Sequence, residues 1–171
     1  MTGQAPTLAI TLAGVSILAL TLGKSPLPLY VWNASASVPL GLYRLQLTDK
    51  RYITELVAVM PPEPIATFLA DGNYLPRGVP MLKRVLALPG QIVCREGPTV
   101  LVNGNAMGQA RKRDGRSRSL PVWQGCRVIA AGELFLMNWR SADSLDGRYF
   151  GPIPASAVIG RALPLWTNKE N

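Results

Sequence analysis

The chain has 171 residues, 48% of them hydrophobic, a formal net charge of +8, two cysteines and no histidine. The missing imidazole excludes Ser-His-Asp and Cys-His chemistry and leaves a zinc site improbable; no cofactor motif is found and no cofactor is expected. Fifteen prolines and sixteen glycines imply many turns and short elements, which favours a β-rich fold over a helical bundle.

Residues 1–28 form the first unit. Positions 2–23 carry no charged side chain, and the apolar run 8–23 ends at Lys24, after which Pro26 and Pro28 oppose a continuing helix. Three readings compete: an uncleaved membrane anchor, a cleaved signal segment, or a buried core helix. A signal segment wants a basic start, which Met1-Thr2-Gly3-Gln4 lacks. A core helix wants a polar face, and this run offers only threonines and a serine. The anchor is the preferred reading.

Residues 29–171 form the second unit. Residues 31–37 read as an extended approach, and 41–47 alternate as a strand. A second strand spans 55–60 and stops at Pro61-Pro62; a short helix is expected over 65–69, ending near Asp71-Gly72. Further strands are expected over 81–88, 91–94, 99–102, 133–137 and 158–165, with turns at Pro89-Gly90 and Asn103-Gly104. The remainder reads as loops. The whole is a mostly antiparallel β domain.

Residues 111–118, Arg-Lys-Arg-Asp-Gly-Arg-Ser-Arg, read first as a solvated loop. The functional alternative is contact with anionic lipid or an acidic partner; without a recognition-helix pattern, nucleic acid is not an expected partner. Cys94 and Cys126 match no metal spacing. In an oxidising compartment they would form one disulfide; in the cytosol they would be reduced core residues. Without histidine, a nucleophilic serine needs a lysine or a carboxylate as its base. Lys83 has apolar alternating neighbours, so a strand here would bury it and lower its pKa. The plainer reading of Lys83-Arg84 is a pair of charges at a strand edge.

Three segments change that balance. Ser35-Ala36-Ser37-Val38-Pro39-Leu40-Gly41-Leu42-Tyr43, then Lys83-Arg84-Val85, then Ser144-Leu145-Asp146-Gly147-Arg148-Tyr149-Phe150-Gly151-Pro152 follow the order of motifs in type I signal peptidases. From about Asn33 to Trp166 the chain resembles the conjugative-transfer (TraF-type) branch of that family. The resemblance implies a signal-peptidase-like antiparallel β domain behind one N-terminal transmembrane helix. It makes Ser37 the nucleophile and Lys83 its general base. Ser35 is similar to the serine that helps stabilise the oxyanion, and Ser144 to the serine bonded to the catalytic lysine. Asp146 and Arg148 resemble the ion pair that orders the site, with Asp146 supporting rather than abstracting a proton. Pro39 and Gly41 would hold the turn that presents Ser37. Leu136-Met137-Asn138-Trp139 departs from the family's Gly-Asp-Asn, so Asn138 receives no role.

The resemblance also implies an extended substrate strand whose small side chains enter pockets, with Pro39, Met81 and Leu82 as the candidate lining. The expected substrate is a membrane-bound pilin precursor, cut at its signal peptide, with release by hydrolysis or by cyclisation. Expected surroundings are the bacterial inner membrane, with a periplasmic catalytic domain and other conjugation proteins nearby; a soluble periplasmic form after signal cleavage is the alternative. In that compartment Cys94 and Cys126 would pair. The rival function is a non-catalytic assembly component of a conjugative secretion channel, which the intact Ser37 and Lys83 oppose. A self-cleaving repressor would need a DNA-binding domain in place of the apolar segment, and a penicillin-binding enzyme would need Ser-x-x-Lys.

Overall fold

The computed structural model describes residues 4–21 and 28–168. Helix α1 (Gln4–Thr21) has 18 residues. Leu8, Ile10, Leu12, Val15 and Ile17 are all exposed, which removes the buried core helix from the three readings. The expected transmembrane helix is not borne out either: no described helix is long and apolar enough to cross a membrane. With 18 residues α1 sits at the short end of the range for a span. Thr7, Thr11, Gly14 and Ser16 also dilute its hydropathy. Its expected end, residues 22–27, lies outside the described residues.

The body is antiparallel β, as expected. In chain order come β1 (Tyr30–Asn33), β2 (Gly41–Gln46), β3 (Leu56–Val59), α2 (Ile65–Asp71), β4 (Met81–Ala87), β5 (Ile92–Glu96) and β6 (Thr99–Val102). They are followed by β7 (Asn105–Gln109), β8 (Gly125–Val128), β9 (Glu133–Leu136), α3 (Gly147–Phe150), β10 (Ile153–Pro154) and β11 (Val158–Thr167). Seven strands form one sheet in the order β1-β2-β11-β3-β4-β9-β10, and four form a second in the order β7-β6-β5-β8.

Burial dictates this division. In β2 the side chains alternate, with Tyr43 and Leu45 inward, as a half-covered strand requires. Strands β3 and β4 are central and almost continuously buried. Leu86 and Ala87 of the larger sheet pack with Val93, Val100 and Val102 of the smaller one around Phe135 and Met137, so one apolar cluster joins the sheets. Long β11 pairs with both β2 and β3, and its ladder shifts register at Pro164, a residue with no N–H to donate.

Strands β7 and β8 and the two-residue β10 were not expected. β7 reads Asn-Ala-Met-Gly-Gln, and β8 is exposed at all four positions; both are edges of the second sheet without a hydrophobic alternation to mark them. Gly41 has a clear structural reason. Its φ is +141°, and a Cβ there would lie 2.1 Å from the Trp166 carbonyl oxygen, so only glycine lets β11 approach the start of β2.

Cys94 of β5 stands opposite Cys126 of β8, and the two form a disulfide. Both thiols are expected to resist alkylation until a reductant is added. Closing a loop of 32 residues restricts the unfolded chain, so Cys126→Ala should lower stability by roughly 3–4 kcal/mol, read from denaturant unfolding. A wild-type protein that alkylates at both cysteines without reduction would contradict the bridge.

Candidate active site

Asn33 and Gly41 pair at the ends of β1 and β2, and the serines lie in the loop between them. Asn33 is only 8% exposed and organises that loop from inside. Its Nδ2 donates to the carbonyls of Ser35 (2.8 Å), Val38 (3.0 Å) and Pro39 (3.0 Å). Its Oδ1 accepts from the Ser35 backbone N–H (3.2 Å) and hydroxyl (3.0 Å). The Tyr43 hydroxyl donates to the Pro39 carbonyl at 2.7 Å, and Val38 is buried as the loop's apolar anchor. The Ser35 and Ser37 hydroxyls lie 3.2 Å apart.

Lys83 sits in β4 directly opposite Val57 of β3. Cross-strand neighbours share a sheet face, so its side chain leaves the sheet beside Val57, a member of the apolar cluster that also holds Val85. Lys83 is 6% exposed. Burial pushes its pKa down from 10.5 to about 8; Asp146 opposes that shift and Arg148 reinforces it. Its Nζ donates to the Ser144 hydroxyl at 2.9 Å, a neutral partner that does not hold the proton on the amine as a carboxylate would.

Asn138, which the sequence left without a role, fixes the strand around Lys83. Its Oδ1 accepts from the Arg84 N–H and its Nδ2 donates to the Leu82 carbonyl, both at 3.0 Å. One side chain thereby satisfies the backbone on either side of the lysine. The Asn138 backbone N–H donates to Asp146 Oδ2 at 3.0 Å.

Asp146 caps α3 by accepting from the Arg148 N–H. It also forms a buried ion pair with the Arg148 guanidinium at 2.9 Å. That guanidinium donates onward to the carbonyls of Ser141 (2.6 Å) and Ser144 (3.1 Å), which holds the segment carrying Ser144. Gly147 is required here: a Cβ would meet the Leu136 carbonyl and the Phe135 ring at 2.7 Å. Two residues of the second sheet's surroundings complete the support. Buried Arg95 donates to the Arg148 carbonyl at 2.6 Å, and Trp123 Nε1 to the Gly147 carbonyl at 3.0 Å.

Ser35, Ser37, Met81, Leu82, Lys83 and Ser144 all line one cleft of about 850 Å³. The structure thus brings together most of the residues that the sequence singled out. Asp146 and Arg148 do not line it but support Ser144 from behind, through the Arg148 bond to its carbonyl, and Pro39 lines a separate cavity of about 660 Å³ beside Arg84 and Arg161. Asn33, Asn138, Arg95 and Trp123 were missed as site residues. Of these only Asn138 left a trace in the sequence, as the asparagine standing where the family has Gly-Asp-Asn.

A family model described as signal peptidase, peptidase S26, matches residues 3–166; the chain belongs to that family. It is 32% identical to a conjugal transfer protein TraF of Agrobacterium fabrum (strain C58 / ATCC 33970) over 170 residues, covering 92% of this chain and 90% of that one. It is also 32% identical to a plasmid transfer protein TraF of Escherichia coli over 167 residues, covering 93% and 90% respectively. A crystal structure of a signal peptidase I from Enterococcus faecalis V583 aligns with a TM-score of 0.40 at 18% identity, over 66% of this chain and 97% of that one.

Two stability tests follow from the geometry. Below pH 8 Lys83 is charged in both the folded and unfolded chain, so the full burial penalty weakens the fold. That penalty is relieved as pH rises from about 8 towards 10.5, where the unfolded state binds more protons. Lys83→Met should therefore stabilise the protein at pH 7, by on the order of 3 kcal/mol. The advantage should shrink as pH approaches 10.5; an equal advantage at every pH would contradict the burial account. Asn33→Ala should cost about 2 kcal/mol by orphaning loop carbonyls and should raise hydrogen exchange at residues 34–40. Unchanged exchange there would contradict its structural role.

Proposed function

We propose that this chain is a serine endopeptidase with a Ser37–Lys83 dyad that processes a pilin precursor for conjugative transfer. The observation that carries the reading is Lys83: a buried amine, pushed down to about 8, lining the same cleft as Ser37. Family membership supports peptidase chemistry, and the relatives named for conjugal and plasmid transfer support conjugative transfer as its setting.

The chemistry runs as follows. Neutral Lys83 Nζ takes the proton from Ser37 Oγ as that oxygen bonds to the scissile carbonyl carbon. The Ser37 N–H and the Ser35 hydroxyl donate to the resulting oxyanion. A hydroxyl has one hydrogen, so Ser35 must turn its own from Asn33 Oδ1, where it now points, to the oxyanion. The lysine ammonium then protonates the departing amine and the C–N bond breaks. An ester remains between Ser37 and the acyl part of the substrate. Water, deprotonated by Lys83, releases a linear acid; the substrate's own amine, held close in place of water, would release a cyclic product. Hydrolysis is the reading adopted, and cyclisation is the variant that a product lighter by one water and lacking a free N-terminus would establish.

The setting proposed is the periplasmic face of the inner membrane. Apolar α1 leads into an exposed group of Leu29, Tyr30, Trp32, Leu165 and Trp166, in which the Trp32 and Trp166 rings lie 5.8 Å apart. Exposed aromatics of this kind suit the headgroup region, and the Cys94–Cys126 bridge suits an oxidising compartment.

Ser37→Ala, Lys83→Ala and Lys83→Arg are each expected to abolish precursor processing and labelling by a serine-directed acyl probe, since a guanidinium stays protonated. For the wild type, kcat/KM should rise about tenfold per pH unit below the lysine pKa and level off above about 8. Asp146→Asn removes the charge that raises this pKa, so its midpoint should move to lower pH. Turnover by Lys83→Arg, or a wild type that no probe labels, would overturn the dyad; the latter would favour the non-catalytic assembly role.

A further inference from the structure

The basic segment 111–118 is built more firmly than a solvated loop requires. Its stems are pinned by buried Ala110 and Leu120, which pack with Tyr149, and by a bridge between Arg113 and Ser119. The Asp114 carboxylate is the hub. It accepts from the Tyr74 hydroxyl (2.5 Å), from the backbone N–H of Arg116 (2.9 Å) and Arg118 (2.8 Å), and from Arg118 Nε (2.7 Å). Arg118 lies over the Tyr74 ring at 4.2 Å and donates to the Gly72 carbonyl. These bonds occupy the one acid in the loop and one of its arginines. Arg111 is engaged by Asp143, and Arg113 by the Ser117 carbonyl.

Arg116 is different. It is exposed, and only its backbone N–H enters the Asp114 network; its guanidinium makes no hydrogen bond or ion pair with a described residue. Yet it lines the same cleft as Ser37 and Lys83. A planar fork of donors with no acid of its own, on a loop whose Arg116 and Arg118 N–H groups are bound to Asp114, is matched to a carboxylate. A concave wall favours a peptide laid along it over a headgroup in a flat bilayer.

We propose that Arg116 forms a specificity subsite that recognises an acidic side chain of the peptide substrate, a Glu or Asp placed at a fixed distance from the scissile bond. This deepens the peptidase reading and rests on it. The subsite adds charge selection to the small pockets near Met81 and Leu82, so the preferred substrates are acidic at one position.

Binding can be measured without turnover. Fluorescent alanine-rich peptides, each with a single Glu, Gln or Lys moved through successive positions, are titrated against Ser37→Ala protein by anisotropy. Glu should outbind Gln by about fivefold, the upper end for an exposed ion pair, at one position or two adjacent ones. The preference should vanish when Arg116→Gln is added and pass to the Lys peptide with Arg116→Glu. A Glu-to-Gln ratio near one at every position, or a ratio that survives Arg116→Gln, overturns the proposal. So does a result in which Arg116→Gln leaves the ratio intact and weakens only binding to phosphatidylglycerol vesicles, which would make the loop a lipid contact. Acyl-probe labelling of the wild-type chain tests the peptidase reading separately, so failure of the one is distinguishable from failure of the other.

Discussion

One constraint organises the site: an amine must be held away from water with a neutral partner in contact and its nearby charges balanced. Lys83 meets it by standing opposite Val57 in the centre of the larger sheet and donating to the Ser144 hydroxyl. Asp146 alone would pull the amine back towards its charged form. Its ion pair with Arg148 supplies an opposing charge, and the two act on Lys83 in opposite directions. Burying such a pair is costly unless every remaining donor and acceptor is met. Here they are met: among the described residues no buried side-chain nitrogen or oxygen lacks a partner.

The rest of the architecture can be read as support for that arrangement. Asn138 bonds the backbone on both sides of Lys83 and passes its own N–H to Asp146. Arg148 holds the carbonyl of Ser144, and Arg95 holds the carbonyl of Arg148. Because Arg95 lies in β5 and Trp123 just before β8, the second sheet buttresses the loop that positions the lysine's partner. The disulfide ties those two strands together. The serine loop has its own internal frame in Asn33 and is bound into the larger sheet by Tyr43 and the close contact at Gly41. Two separately hydrogen-bonded pieces thus meet at one cleft.

Much of this was legible in the sequence, for identifiable reasons. Alternation in 41–47 and dense apolar runs at 55–60, 81–88 and 133–137 report directly on burial, and the corresponding strands formed. Strands β7 and β8 carry no such pattern because edge strands need no buried face. The division into two sheets depends on which strands pair, which local pattern does not encode. At the site, the serines, Lys83, Ser144, Asp146 and Arg148 were singled out by motif, while Asn33 and Asn138 were not. Their work is done through backbone groups of other residues, and an asparagine that bonds main chain leaves no recognisable partner in sequence. Pro39 was misplaced for a related reason: its ring lines the other cavity, while its carbonyl takes the bonds that shape the turn. The apolar start of the chain was read as a span from its lack of charge; no described helix is long and apolar enough to be one, and the end of that apolar run lies outside the described residues.

The central claim is that burial lowers the pKa of Lys83 to about 8, so that about a tenth of the amine is neutral at pH 7 and most of it is neutral above pH 8. Its Nζ can be titrated directly by NMR in protein carrying isotope-labelled lysine, with the resonance assigned by its absence from Lys83→Met. The account predicts a single transition for that resonance near pH 8. A Lys83 resonance whose midpoint stays near 10.5 would contradict it.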